Sequence, residues 1–313
     1  MTKFDIITVG GAVIDAFLYT GLSQKNGKQC YPLGSKLLIK NLEFSTGGGG
    51  TNTSTSFSKL GLKTGFLGKL GNDENGNVIL RELKENKISF LGNRGDEPTG
   101  YSVILDSKEH ERTILVYKGA NDELKSSEVN LDKLDAKWFY FSSMSGQSLE
   151  TQKKMASYLN KKGAKITYNP SSYLTKNGAG HIKEILKNTE ILILNDKEAR
   201  DLVPRGNLFN GLHSLGPNIV CVTYGPRGNS ISDKIRIYHS KPHKIKIVER
   251  TGAGDAFASG FVAGYIKTNN INFSIQCGSL NAESVIQIRG AKNGLLTWKE
   301  ILHKIKSAPV KIY

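Results

Sequence analysis

The chain reads as an α/β protein with a doubly wound, mostly parallel sheet, helices on both faces and a small β-sheet lid. Three observations predict this. Apolar runs rich in β-branched and aromatic residues alternate with helical patterns along the whole chain, as strand and crossover helix must in a parallel sheet. The 313 residues, 38% of them hydrophobic, are enough for one large core. Two strand-like regions fall outside the alternating rhythm and read as an insertion over one sheet edge.

The core strands are expected at Phe4–Val9, Thr64–Leu67, Trp138–Phe141, Ile166–Tyr168, Ile191–Leu194 and Ile219–Thr223. Helices are expected between them at Glu74–Asn86, Gln147–Lys161 and Asp196–Leu202, with Asn72 and Asp73 placed to cap the first. The irregular regions are residues 16–46, strand-like over Lys36–Phe44, and a hairpin of Tyr101–Leu105 and Thr113–Tyr117 around a charged turn. No repeat or low-complexity linker divides the chain, so residues 1–313 are expected to form a single domain with lid segments at about 16–46 and 101–117.

Composition narrows the function. No stretch approaches the ~18 apolar residues of a membrane span, and the N-terminus runs straight into a strand pattern, so a soluble, cytoplasmic protein without a membrane partner is expected. The three cysteines, Cys30, Cys221 and Cys277, are odd in number and far apart, which fits buried free thiols rather than a zinc cluster or disulfide framework. A net charge of +15 would suit anionic partners. The lysines are scattered rather than gathered in a basic stripe with interleaved aromatics, which argues against nucleic acid.

The strongest chemical signal is Thr251, Gly252, Ala253, Gly254, Asp255, followed by a segment of helical spacing. Glycines at a helix N-terminus leave backbone amides open to an anion, and the helix dipole favours negative charge there. A carboxylate in a first turn is an ordinary dipole partner. Behind an anion cradle it would repel phosphate unless it had another task, such as taking a proton from an attacking hydroxyl. Gly260 and Gly264, four apart, fit close helix packing.

The second signal is Gly47 to Gly50 followed by Thr51 and Asn52. Four glycines could make a flexible linker, but these open a helix pattern and read as a binding loop whose backbone can approach a polyol. Thr51 and Asn52 suit capping or hydroxyl recognition, and Asn52 carries both a donor and an acceptor. Asp15, just past the first strand, is its natural partner. Two further elements follow core strands, where ligands of open α/β sheets collect: Asn195 with Glu198, and Thr223, Gly225, Gly228.

Together these residues resemble the ribokinase-like carbohydrate kinase family, also called the PfkB family, over nearly the whole chain. Gly47–Asn52 with Gly61, Gly68, Gly71, Asp73 and Gly76 is similar to its N-terminal signature, and Thr251–Asp255 to its C-terminal one. The resemblance implies a ribokinase-like fold and transfer of the ATP γ-phosphoryl group to a hydroxyl of a sugar or sugar-like molecule. Asp255 would be the general base, with the amides of Gly252, Ala253 and Gly254 holding the phosphoryl group. Asp15, Gly47, Gly48 and Asn52 would bind the acceptor, with Tyr101 stacking on a base if the acceptor is a nucleoside and Arg112 binding phosphate if it is a phosphosugar. Asn195, Thr223, Gly225, Gly228, Thr251, Asn281 and Lys292 would face the nucleotide, and Asn195 and Glu198 would place Mg2+ through water. The family usually has Asp-Thr before the Thr-Gly-Ala-Gly-Asp run, and this chain has Glu249 and Arg250. That departure leaves a monovalent cation in doubt, and a homodimer through the lid is left open. The same signatures would serve an adenosine-type nucleoside kinase, while a non-catalytic sensor would have no use for Asp255.

Overall fold

The computed structural model describes residues 3–19, 28, 30–106 and 112–313. In chain order the elements are β1 (Phe4–Val9), β2 (Val13–Tyr19), β3 (Asn41–Gly47), α1 (Gly49–Lys59), β4 (Thr64–Leu67), β5 (Lys69–Gly71), α2 (Glu74–Glu85), β6 (Ser89–Phe90), β7 (Asn93–Gly95), β8 (Gly100–Asp106) and β9 (Arg112–Tyr117). There follow β10 (Ala136–Ser142), α3 (Gly146–Lys161), β11 (Lys165–Asn169), α4 (Ser172–Thr175), α5 (Lys183–Leu186), β12 (Ile191–Asn195), α6 (Asp196–Leu202), α7 (Leu208–Ser214), β13 (Ile219–Thr223), β14 (Asn229–Ser232) and β15 (Ile237–Lys241). The chain ends with α8 (Ala253–Thr268), α9 (Ile271–Val285), α10 (Trp298–Ser307) and β16 (Lys311–Ile312).

The main sheet has ten strands in the order β16-β15-β14-β13-β12-β11-β10-β1-β4-β6. From β6 to β13 neighbouring strands are parallel, and β14, β15 and β16 extend it antiparallel. Strands buried on both faces need apolar residues at every position, and alternation then sorts them between two cores. Ile7, Phe139, Phe141, Leu192, Leu194, Val220 and Val222 fill one core beneath α3. Ile6, Trp138, Tyr140, Ile191, Ile193, Ile219 and Cys221 fill the other beneath α1, α8 and α9. Each such side chain, fully buried, contributes about 1.5–3 kcal/mol. Cys221 and Cys277 are buried as expected, but Cys30 is exposed.

Local chemistry sets the boundaries. Asp73 caps α2 by accepting from the Gly76 amide at 2.8 Å, satisfying one orphan donor of the first turn. Gly260 and Gly264 pack α8 on α9, because a Cβ at Gly260 would lie 2.7 Å from the Cys277 carbonyl oxygen.

A separate sheet, ordered β3-β2-β8-β9, rises beside the end of β1. The β8–β9 hairpin falls where the sequence places it, while its tip, residues 107–111, lies outside the described residues. Two features differ from expectation. The strand of the first lid segment is Asn41–Gly47 rather than Lys36–Phe44, since its register is set by pairing with β2 from Tyr19↔Asn41 to Val13↔Gly47. An inner strand of this small sheet is β2, parallel to β8 and starting at Val13. Its sequence, Val-Ile-Asp-Ala-Phe-Leu-Tyr, lacks clean alternation, and its burial runs from three consecutive buried residues, Ile14 to Ala16, to a half-buried end.

Candidate active site

Helices α1 and α8 meet at the site. Asn52 Nδ2 donates to Asp255 Oδ2 at 2.8 Å, and one turn further along Ser259 Oγ donates to Ser56 Oγ at 2.6 Å. Equal steps of four residues in both helices mean that they run parallel with their N-termini at the same end. Two positive dipole ends are thereby aimed at one place.

The glycine loops make this possible. Gly48, at the N-cap of α1, has φ 96°, and Gly252, at the N-cap of α8, has φ 78°. A Cβ on Gly48 would lie 2.5 Å from the Gly11 carbonyl oxygen, and one on Gly252 would lie 2.6 Å from that of Ala291. Glycine alone fits both the conformation and the space. The expected capping by Thr51 and Asn52 does not occur: Thr51 Oγ1 donates back to the Gly47 carbonyl at 2.6 Å, and Asn52 reaches across to α8. Gly254 is exposed and has nothing within 4 Å of where a Cβ would point. The amide of Ala253 donates to the Arg250 carbonyl at 3.3 Å, closing a turn. The cradle therefore consists of the Gly252, Gly254 and Asp255 amides, which donate to no group among the described residues; Ala253, expected as a third donor, is withdrawn by its turn.

In front of this cradle lies a cleft of about 360 Å³ lined by Gly49, Gly252, Gly254 and Asp255 on one side and Asn195, Glu198 and Thr223 on another. A larger cleft of about 580 Å³ lies between the small sheet and the 247–250 and 289–293 segments, and Asp255 is not among its lining residues. Asp255 lines the smaller one. Burial raises the Asp255 pKa from its ordinary 3.8 to about 6, against the opposing effects of the Asn52 hydrogen bond and the Lys292 charge. Asn52, 6% exposed, has a buried Oδ1 that accepts from nothing among the described residues.

Beside Asn52, the Asp15 carboxylate lies against Gly47, where a Cβ would come within 2.0 Å of it. Burial raises its pKa too, offset by Ser102 and Lys292. Asn195 and Glu198 form a capping box at the start of α6: Glu198 donates from its amide to Asn195 Oδ1 at 2.9 Å, and Asn195 donates back to Glu198 Oε2 at 3.0 Å.

Residues 4–298 match the family model described as pfkB family carbohydrate kinase. The chain belongs to the pfkB family of carbohydrate kinases. It is 31% identical over 246 residues to an uncharacterized sugar kinase of Archaeoglobus fulgidus, covering 76% of this chain and 97% of that one. It is 26% identical over 270 residues to a ribokinase of Lactococcus lactis, covering 85% and 88%. The crystal structure of a Thermotoga maritima ribokinase superposes with a TM-score of 0.84 at 22% identity, covering 97% and 99%.

Within this kinase several expected ligands sit elsewhere. Tyr101 is partly buried and packs against the apolar cluster of Ala12, Ile14, Phe66 and Ile79, and it does not line the smaller cleft. Asn281 is fully buried and its amide is used internally: Nδ2 donates to the Ala256 carbonyl at 2.9 Å and to Ser56 Oγ at 3.1 Å, while Oδ1 accepts from the Leu296 amide at 3.0 Å. It pins α9 to α1 and α8 and has nothing left for a nucleotide. Lys292 is not beside Thr223 and Asn195. Its Nζ pairs with Glu82 Oε1 at 2.5 Å, donates to Thr46 and lies in the field of Asp15 and Asp255. Gly225 is exposed, and Gly228 is buried with its Cα side against the Ser240 carbonyl; neither lines the cleft. Thr251 donates to Glu249. The Arg112 side chain lies outside the described residues.

Other groups reach the site without an obvious sequence signal. Ser142, Ser143 and Asn169 line the cleft from the ends of β10 and β11, a position that strand topology alone would have flagged. Lys118 also lines it, held over the Tyr173 ring at 4.5 Å, and a solitary lysine among so many carries no mark. Glu82 and Thr46 come from α2 and β3 and meet only in the folded chain.

Proposed function

We propose that this kinase transfers the γ-phosphoryl group of ATP to a hydroxyl of a small sugar, with Asp255 as general base. The observation that carries the reading is the placement of Asp255: its carboxylate is held by Asn52 at the shared N-terminal end of α1 and α8, beside amides with no partner among the described residues. The acceptor hydroxyl gives its proton to Asp255 as its oxygen attacks the γ-phosphorus and the bond to the β–γ bridging oxygen breaks, releasing ADP. The Gly252, Gly254 and Asp255 amides and the two helix dipoles stabilise the phosphoryl charge without reorganisation. Asn52 Oδ1 and Asp15 hold acceptor hydroxyls, one of which supplies the donor that the buried Asn52 Oδ1 lacks among the described residues.

Among the described residues no three His, Cys, Asp or Glu side chains are grouped to hold a metal directly. Glu198 is a buried carboxylate on the cleft wall whose pKa burial raises, and with Asn195 it fits a water-mediated role toward magnesium, which would supply charge neutralisation on the nucleotide phosphates. Lys118 adds a fixed positive charge on the same side.

The test is Asp255→Asn, which keeps the side-chain shape and its acceptor for Asn52. Turnover should fall at least ~10²-fold with ATP affinity held or improved. A variant retaining more than about a tenth of wild-type kcat would remove Asp255 from the role of base.

A further inference from the structure

The surroundings of Lys292 carry a conclusion about which acceptors the site admits. Three carboxylates lie around Lys292 near the acceptor-facing end of the site: Asp15 on β2, Glu82 on α2 and Asp255 on α8. Lys292 is paired with Glu82 at 2.5 Å, with side-chain exposures of 11% and 26% respectively. Its charge also acts on Asp15 and Asp255, and Glu249 acts on Asp15. Among the described residues one buried ammonium thus faces an excess of carboxylates. Arg250 and Arg289 line the larger neighbouring cleft but are exposed, and Arg289 already lies 3.9 Å from Glu43. The unpartnered buried atom here, Asn52 Oδ1, is an acceptor as well.

We propose that Lys292 and Glu82 form the charge-setting pair of the acceptor site, making it selective for neutral polyhydroxy acceptors over those bearing a carboxylate or phosphate. The inference rests on the acceptor-site reading given above. A region rich in acceptors and poor in donors is satisfied by hydroxyl groups, each of which donates one hydrogen. An anionic substituent would add like charge in a poorly solvated place, where repulsion is strong, and would find the Lys292 ammonium already committed to Glu82. Lys292 keeps the cluster short of the net charge at which a neutral sugar could not be held in register. Glu82 keeps Lys292 from serving as an anion ligand.

Titration calorimetry on the wild-type kinase and on Glu82→Gln tests this without depending on turnover. The ligands are ribose and fructose against fructose 6-phosphate and ketodeoxygluconate, with adenosine as a larger neutral acceptor. The wild type should bind its best neutral ligand at least ~10-fold more tightly than either anionic one, and Glu82→Gln should narrow that ratio at least ~5-fold by freeing the ammonium. An equal or greater wild-type affinity for an anionic ligand, or binding of none of the five at 10 mM, overturns the proposal, as does a ratio unchanged in a Glu82→Gln protein whose melt shows it folded. Phosphoryl transfer measured in parallel keeps the two readings apart. Selective binding without Asp255-dependent transfer would sink the catalytic assignment and leave the charge pair standing.

Discussion

Replacing Asn281 with alanine asks whether this residue is a nucleotide ligand or a structural pin. The side chain is fully buried, and three hydrogen bonds tie it to Ser56 on α1, to the Ala256 carbonyl on α8 and to the Leu296 amide ahead of α10. Ser56 keeps its bond from Ser259, so the main casualty is the Leu296 N–H, left in a residue only 6% exposed. An orphaned buried donor costs about 1–3 kcal/mol, and the space vacated by the amide adds about 1–2 kcal/mol. The sum, about 2–5 kcal/mol, is a large part of a typical folding stability of about 5–15 kcal/mol. At about 2 °C per kcal/mol for a chain of this size, Tm should drop by roughly 4–10 °C. Calorimetric melts, paired with steady-state kinetics well below the transition, read both roles at once. KM for ATP should stay within about twofold of wild type, because no nucleotide contact is removed. An unchanged Tm with a KM for ATP raised ~10-fold or more would refute the argument and return Asn281 to the nucleotide.

Asn52→Ala should weaken acceptor binding by about 1–3 kcal/mol while leaving nucleotide binding nearly intact, and separate titrations with each ligand would show an equal loss if the assignment is wrong. With the Asp255 pKa near 6, kcat/KM should climb as pH rises through that value and level off above it; a flat profile between pH 5 and 7.5 would contradict this. Burial raises that pKa above the unfolded value, so the stabilising contribution of this carboxyl belongs to low pH and is lost as pH rises through about 6. Asp255→Asn should therefore melt higher than wild type at pH 7.5, by an amount corresponding to about 1–3 kcal/mol, and lower or equal melting would count against the buried charge. The glycines of the cradle should separate: Gly252→Ala forces a side chain into positive φ and onto the Ala291 carbonyl and should destabilise the fold, whereas Gly254→Ala meets open space in a helical turn, should leave stability unchanged or raise it by about 1 kcal/mol, and should instead lower turnover by crowding the phosphoryl group.

Much of the architecture was legible in the sequence because the central strands are buried on both faces. A run such as Ile191–Leu194 cannot be satisfied on a surface, and its neighbours Ile219–Thr223 and Phe4–Val9 repeat the demand. Gly48 and Gly252 were legible for a related reason. Glycines needed for positive φ and close backbone approach leave a spaced pattern that no core helix requires. The lid register was not legible, because β2 is covered unevenly and its pairing with β3 spans a long intervening segment. Nor were the places of Asn281, Tyr101 and Lys292. An asparagine, tyrosine or lysine can face a ligand or be consumed by the protein, and that choice depends on which donors and acceptors the fold brings within about 3 Å. For Asn281 they came from α1, α8 and the approach to α10; for Lys292, from α2 and β3. Backbone demands are local and show in the residues themselves, whereas the pairing of buried polar side chains is a property of packing, which tertiary structure alone decides.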